Sequence, residues 1–190
     1  MRASLFDYGA GNLHSLGRAL SRLGVSVSIS TDPLVETDLL VLPGVGAFGQ
    51  AAERLAPSRE ALRTVIAEGR PVLGICLGMQ LLFDSSEEDE GTAGRGLSVL
   101  AGTVTRLQTR RVPHIGWTRL EETKAAMYFA HSFACRPVDP SIVTAWARHD
   151  DERFPAAVKS GRVAGVQFHP EKSSADGLVL LERLVREVTS

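Results

Sequence analysis

The chain has 190 residues, of which 44% are hydrophobic and 23% charged, with a formal net charge of −1. That length suits one domain spanning 1–190 with a sizeable core, and the composition excludes wholesale disorder and fibrous repeats. The near-neutral balance argues against a nucleic-acid partner or a polybasic membrane contact, and two cysteines cannot form a disulfide framework. Asp7 interrupts the short apolar start, and no window approaches the ~18 apolar residues of a membrane span, so a cytoplasmic location is expected.

Short apolar runs alternate with amphipathic segments. Ser4-Leu5-Phe6 reads as a buried strand, Gly9 and Gly11 as its turn, and Asn12 as a cap for a helix carrying Leu13, Leu16, Leu20 and Leu23. Val25, Val27 and Ile29 alternate at strand period. Leu39 to Leu42 is a compact apolar run closed by Pro43-Gly44. Arg59 to Glu68 reads as a helix, Pro71 to Ile75 as a buried strand, and Leu77 to Phe83 as a helix directly after it. Strand–helix alternation with fully apolar strands predicts a parallel sheet covered on both faces. Residues 97–107, 126–129, 142–146 and 154–168 read as strands with hairpin connections, turning at Ser160-Gly161. Leu178, Leu181, Val185 and Val188 form a terminal helical stripe, with Ser173 and Asp176 as an approximate capping box. Ser85 to Gly96 is acidic and reads as a loop. The expected class is α/β with antiparallel additions in the C-terminal half.

Gly74-Ile75-Cys76-Leu77-Gly78 falls where a buried strand meets a helix. A nucleophile flanked by glycines at this junction matches the elbow that presents a thiol or hydroxyl on a tight turn. The helix N-terminus favours thiolate, and the Leu77 N–H would face an oxyanion. By itself the pentapeptide is also compatible with a small apolar cysteine closing a core strand, the commoner place for a free cysteine.

A thiol nucleophile needs a base, and five histidines are available. His14 falls within the first helix, and His149 within a charged surface run. His114 and His131 either line a site or satisfy backbone groups. His169 ends an apolar strand, and Pro170 biases it towards extended chain. There, Glu171 would share its face and orient its ring, which is the logic of a catalytic triad. Gly44, Val45 and Gly46 follow another buried strand, at the edge where ligands bind such sheets, and could complete an oxyanion hole with Leu77. No metal-ligand spacing occurs, so no metal or cofactor is expected, and Cys135 reads as a structural thiol.

The segments around Cys76, through Met79-Gln80, and Gly165-Val166-Gln167-Phe168-His169-Pro170-Glu171 resemble the class I glutamine amidotransferases. Three further segments narrow the resemblance: Asp7 to Ser15, Pro43 to Phe48, and Pro113-His114-Ile115-Gly116-Trp117. They point to the branch of glutaminase subunits that serve imidazole glycerol phosphate synthesis in histidine biosynthesis. The resemblance implies a flavodoxin-like fold and a Cys76–His169–Glu171 triad that hydrolyses glutamine to glutamate and ammonia. It also implies that Gln80, Glu88, Ser132 and Phe133 hold glutamine, Glu88 suiting its ammonium by charge. Asn12, Trp117 and Lys172 would face a partner, a (βα)8-barrel cyclase that receives the ammonia, as a heterodimer. Phe133 stands where tyrosine is common in the family, and Thr118 where asparagine is usual. Two other readings share these residues: a glutaminase subunit of a different amidotransferase, and a partner-independent thiol hydrolase on the same fold.

Overall fold

A computed structural model describes residues 1–88 and 95–190. In chain order the first half is β1 (Arg2–Phe6), α1 (Leu13–Arg22), β2 (Ser26–Ser30), β3 (Leu39–Leu42), α2 (Phe48–Leu55), α3 (Arg59–Ala67), β4 (Val72–Ile75) and α4 (Leu77–Leu81). The second half is β5 (Ser85–Ser86), β6 (Gly102–Arg106), β7 (His114–Arg119), β8 (Ala126–His131), β9 (Phe133–Pro137), β10 (Val143–His149), β11 (Glu152–Ser160), β12 (Val163–Val166) and α5 (Ser174–Thr189).

Seven strands form the main sheet in the order β10-β11-β12-β4-β3-β1-β2. Its five neighbours from β12 to β2 are parallel, and β10 and β11 join antiparallel at the β12 side. Numbered by appearance, the parallel strands run 2-1-3-4-5, the flavodoxin-like order. Strand alternation divides the core in two. Leu5, Val41, Leu73 and Ile75 pack under α1 and α5, while Phe6, Leu40, Leu42 and Val72 pack under α2 and α3. Each fully buried leucine here contributes about 1.5–3 kcal/mol. Two smaller sheets complete the molecule: β7-β8, and β5-β6-β9. No helix among the described residues is long and apolar enough to cross a membrane.

The structure corrects several expectations. The predicted capping box does not form. Ser173 Oγ accepts from the Tyr128 N–H at 2.9 Å and donates to the His169 carbonyl at 2.6 Å, while Asp176 accepts from the Ala126 N–H. The Tyr128 and Ala126 amides are tertiary partners, and they compete successfully for short polar side chains that would otherwise cap locally. Residues 97–101 are not strand; β6 begins only at Gly102. The helix after Cys76 ends at Leu81 rather than Phe83. Within the predicted 85–96 loop, Ser85–Ser86 pairs with β6, and residues 89–94 lie outside the described residues.

Candidate active site

The carboxyl ends of β3, β4 and β12 converge on one edge of the sheet. Cys76 stands there with φ +52° and ψ −107°, a left-handed conformation that costs a non-glycine residue about 1–3 kcal/mol. Its surroundings enforce it. The Cys76 N–H donates to the Val166 carbonyl at 2.7 Å, extending the β4–β12 ladder, and its carbonyl accepts from the Gln80 N–H at 3.2 Å. The flanking glycines are steric requirements. A Cβ on Gly74 would lie 2.7 Å from the Gly78 carbonyl oxygen, and one on Gly78 would run into the Leu42 carbonyl.

His169 is clamped by its N–H on the Tyr128 carbonyl at 2.9 Å and by the Ser173 hydroxyl on its own carbonyl. It is extended, as expected, but Glu171 meets it differently from the predicted strand geometry. Pro170–Lys172 is a 3₁₀ turn, and this turn brings the Glu171 Oε1 to 2.9 Å from His169 Nδ1. Both side chains are almost wholly buried. Burial pulls the His169 pKa down, but hydrogen bonding to Cys76 and Glu171, with their charges, outweighs it and drives the value up to about 10.

Cys76 and His169 line a cavity of about 260 Å³, below the ~300–1,000 Å³ of drug-sized pockets and suited to a small metabolite. Val45, Gly46, Leu77, Gln80, Glu88, Ser132, Phe133 and Lys172 reach the same cavity. Gly44 lies buried beneath it against Leu77, and Glu171 stands behind His169. Glu88 also has a structural contact: Oε2 accepts the Phe48 N–H at 2.6 Å, capping α2. A larger cavity, about 640 Å³, opens at the opposite end of the sheet. Its Arg70 and Arg162 are bonded to main-chain carbonyls, and neither cysteine nor histidine is among the residues lining it. The smaller cavity is the one that brings a cysteine and histidines together.

The sequence model of class I glutamine amidotransferases matches residues 4–187. The chain belongs to the class I glutamine amidotransferase family. It is 47% identical to the imidazole glycerol phosphate synthase subunit HisH of Halobacterium salinarum, over 94% of this chain and 90% of that one. It is 40% identical to the subunit of the same name from Pyrococcus furiosus, over 97% and 98% of the two chains. A solved glutamine amidotransferase superposes with a TM-score of 0.76 at 21% identity, covering 97% of this chain and 98% of its own, and so shares the fold.

This amidotransferase places the residues expected at a partner face along the same edge. Asn12 caps α1, its side chain accepting the Ser15 N–H, and α1 packs on the turn carrying Lys172. Trp117 is 54% exposed and meets Tyr128 edge-on, while Lys172 Nζ lies 5.8 Å from the same tyrosine ring. Thr118 hydrogen-bonds His114 Nε2 at 2.9 Å.

That bond belongs to a group that sequence reasoning did not assemble. His131 Nδ1 lies 2.9 Å from the Phe133 carbonyl, which can only accept, so Nδ1 carries the proton. His131 Nε2 then accepts from His114 Nδ1 at 3.1 Å, and His114 Nε2 accepts from Thr118. His149 does not stand free on the surface as expected; its ring stacks on His114 at 4.1 Å. Burial, reinforced by the neighbouring histidines, lowers His131 to about 3 and His114 to about 4. His131, Pro113, Ile115 and Ala130 all line the cavity. Only β7–β8 pairing, invisible in local sequence, brings them there. Cys135 is buried in β9, and burial raises its pKa well above the ordinary thiol value.

Proposed function

We propose that this chain is the glutaminase subunit of an imidazole glycerol phosphate synthase, working in the cytoplasm as one glutamine amidotransferase domain. Similarity to the HisH subunits supports the pathway. The observation that carries the chemistry is Cys76 on its elbow with His169 between it and Glu171.

The Cys76 thiolate attacks the side-chain amide carbon of glutamine. The N–H of Leu77 and the backbone of Gly44, Val45 and Gly46 are assigned to the oxyanion that forms. Protonated His169 transfers its proton to the departing nitrogen, releasing ammonia and leaving a glutamyl thioester. His169 then takes a proton from water as the water attacks the thioester, and glutamate leaves with the thiolate restored. Glu171 holds the ring by Nδ1–H throughout. Gln80, Glu88, Ser132 and Phe133 hold the amino-acid end of glutamine, the Glu88 carboxylate matching the ammonium.

Ammonia is protonated and lost in bulk water, so a synthase must receive it directly. We assign that acceptor to a (βα)8-barrel cyclase docking on the edge marked by Asn12, Trp117 and Lys172. The partner's substrate would be an N-phosphoribosyl-formimino carboxamide ribonucleotide. The products would be imidazole glycerol phosphate and an aminoimidazole carboxamide ribonucleotide. The test is glutamate release with and without the cyclase and its nucleotide, for the natural chain and Cys76→Ala. Release should rise on assembly and vanish in the variant. Unchanged release in Cys76→Ala overturns the mechanism, and equal release without the cyclase overturns the coupling.

A further inference from the structure

Gln167 is wholly buried between Cys76 and Gln80 and does not line the cavity. Its contacts assign its amide without ambiguity. The Phe133 carbonyl can only accept, so the amide group of Gln80 that lies 3.1 Å away must be its nitrogen, Nε2. The second hydrogen of that nitrogen points to Gln167, 3.1 Å away, which must therefore present its oxygen there. The remaining end of Gln167 is then its own nitrogen, and it stands 3.6 Å from the Cys76 sulfur. The polarity of a backbone carbonyl on β9 is thus transmitted through two glutamine amides to the nucleophile. The same carbonyl also accepts from His131, so its position is fixed from both sides.

We infer that Gln167 is an N–H donor to the Cys76 thiolate, its orientation set by Gln80 and the Phe133 carbonyl. A neutral donor favours the anionic sulfur over the thiol, because the hydrogen bond strengthens with negative charge on the acceptor. The charge on the sulfur couples to His169, Tyr8 and Cys135, and Glu88, His131 and Lys172 line the same cavity. Of these, His169 moves its proton during the reaction, whereas Gln167 keeps its hydrogen. Gln167 therefore acts on the sulfur both before and after proton transfer. This assignment deepens the glutaminase reading and rests on it only for the catalytic consequence.

The experiment is alkylation of Cys76 by iodoacetamide in the full-length chain across a pH series, followed by peptide mass mapping to separate it from Cys135. Gln167→Met removes the donor at similar volume. Gln167→Glu keeps the acceptor towards Gln80 and sets a carboxylate against the sulfur. Alkylation at neutral pH should fall about tenfold in the first variant, as expected for one charge-assisted hydrogen bond, and further in the second. Both deficits should close at alkaline pH, whereas a merely loosened structure alters the rate at every pH. Glutamate release should show the loss in kcat, with KM for glutamine within about twofold. Alkylation profiles equal to the natural chain in folded variants overturn the inference. NMR of the natural chain needs no variant: a side-chain amide proton of Gln167 should shift as the Cys76 thiol is deprotonated, and an unmoved resonance overturns it too. Alkylation uses no glutamine, so shifted alkylation without glutamate release would refute the glutaminase reading and leave the donor in place.

Discussion

Two buried histidines in this molecule have opposite charge states. His169 is 4% exposed and His131 is 6% exposed, so burial disfavours the cation at both. His169 has a thiol on one side and a carboxylate on the other, and its pKa rises to about 10. His131 has a main-chain carbonyl and a neutral imidazole, and its pKa falls to about 3. Burial sets the cost of charge, and the partners decide whether it is met. The first site is built to hold a proton. The second is a tautomer-locked scaffold that holds the cavity wall and the Phe133 carbonyl.

The largest expected effect tests that division. His169→Gln should lower glutamate release on the order of 10³-fold, the scale of a lost general acid–base. His131→Gln should lower it less than about tenfold. Assays with the cyclase present decide this, and equal losses would erase the distinction. Next in size is the effect of the carboxylate. In Glu171→Gln, NMR titration of His169 should give a pKa well below the value of about 10 in the natural chain. The stability sign follows. A raised histidine pKa stabilises the fold below its ordinary value of 6.5 and loses that contribution as pH rises through the folded value. The variant should therefore lose its contribution at lower pH than the natural chain. An unmoved His169 titration would assign the raised pKa to Cys76 alone.

How legible these features were depended on whether their partners were local. Gly74-Ile75-Cys76-Leu77-Gly78 is one covalent stretch whose steric demands are written in adjacent residues, so the elbow was readable. The His169–Glu171 pair was readable for the same reason, although its geometry is a 3₁₀ turn rather than a strand. α2 was not anticipated. Ala47 offers no side-chain cap, and Glu88 supplies the acceptor from far along the chain. β7 was equally hidden. Gly116 interrupts it, and its partner His131 is reached only through β8 pairing. His149 sits in a charged run that reads as surface, yet the β10 register turns its ring onto His114. Ser173 and Asp176 had local capping spacing but found better tertiary partners.

The scaffold histidines carry the third effect, visible in acid. Folded His131 and His114 resist protonation until about pH 3 and 4, while in the unfolded chain they protonate near 6.5. Between those values the unfolded state binds more protons, so stability is full above 6.5 and falls as pH drops. Urea unfolding of His131→Gln across pH 7.5 to 4.5 should show a shallower acid slope, by up to about 1.4 kcal/mol per pH unit for one group. An unchanged slope would mean that His131 already takes up a proton in the folded chain.

The smallest effect separates burial from field within that scaffold. Burial is the main cause of the low His114 pKa, and the charge of His149, stacked 4.1 Å away, adds to it. His149→Leu keeps most of the apolar cover and removes the charge. The His114 pKa should therefore rise modestly from about 4, while stability at pH 7.5 falls by about 0.5–1.5 kcal/mol for the lost ring pair. Arg111 is also affected, since its carbonyl bonds His149 Nε2 at 2.7 Å, so the substitution should loosen the 108–111 segment in hydrogen exchange. If the His114 pKa stays put while that segment loosens, the stack serves only to anchor the loop, and burial alone keeps the scaffold neutral.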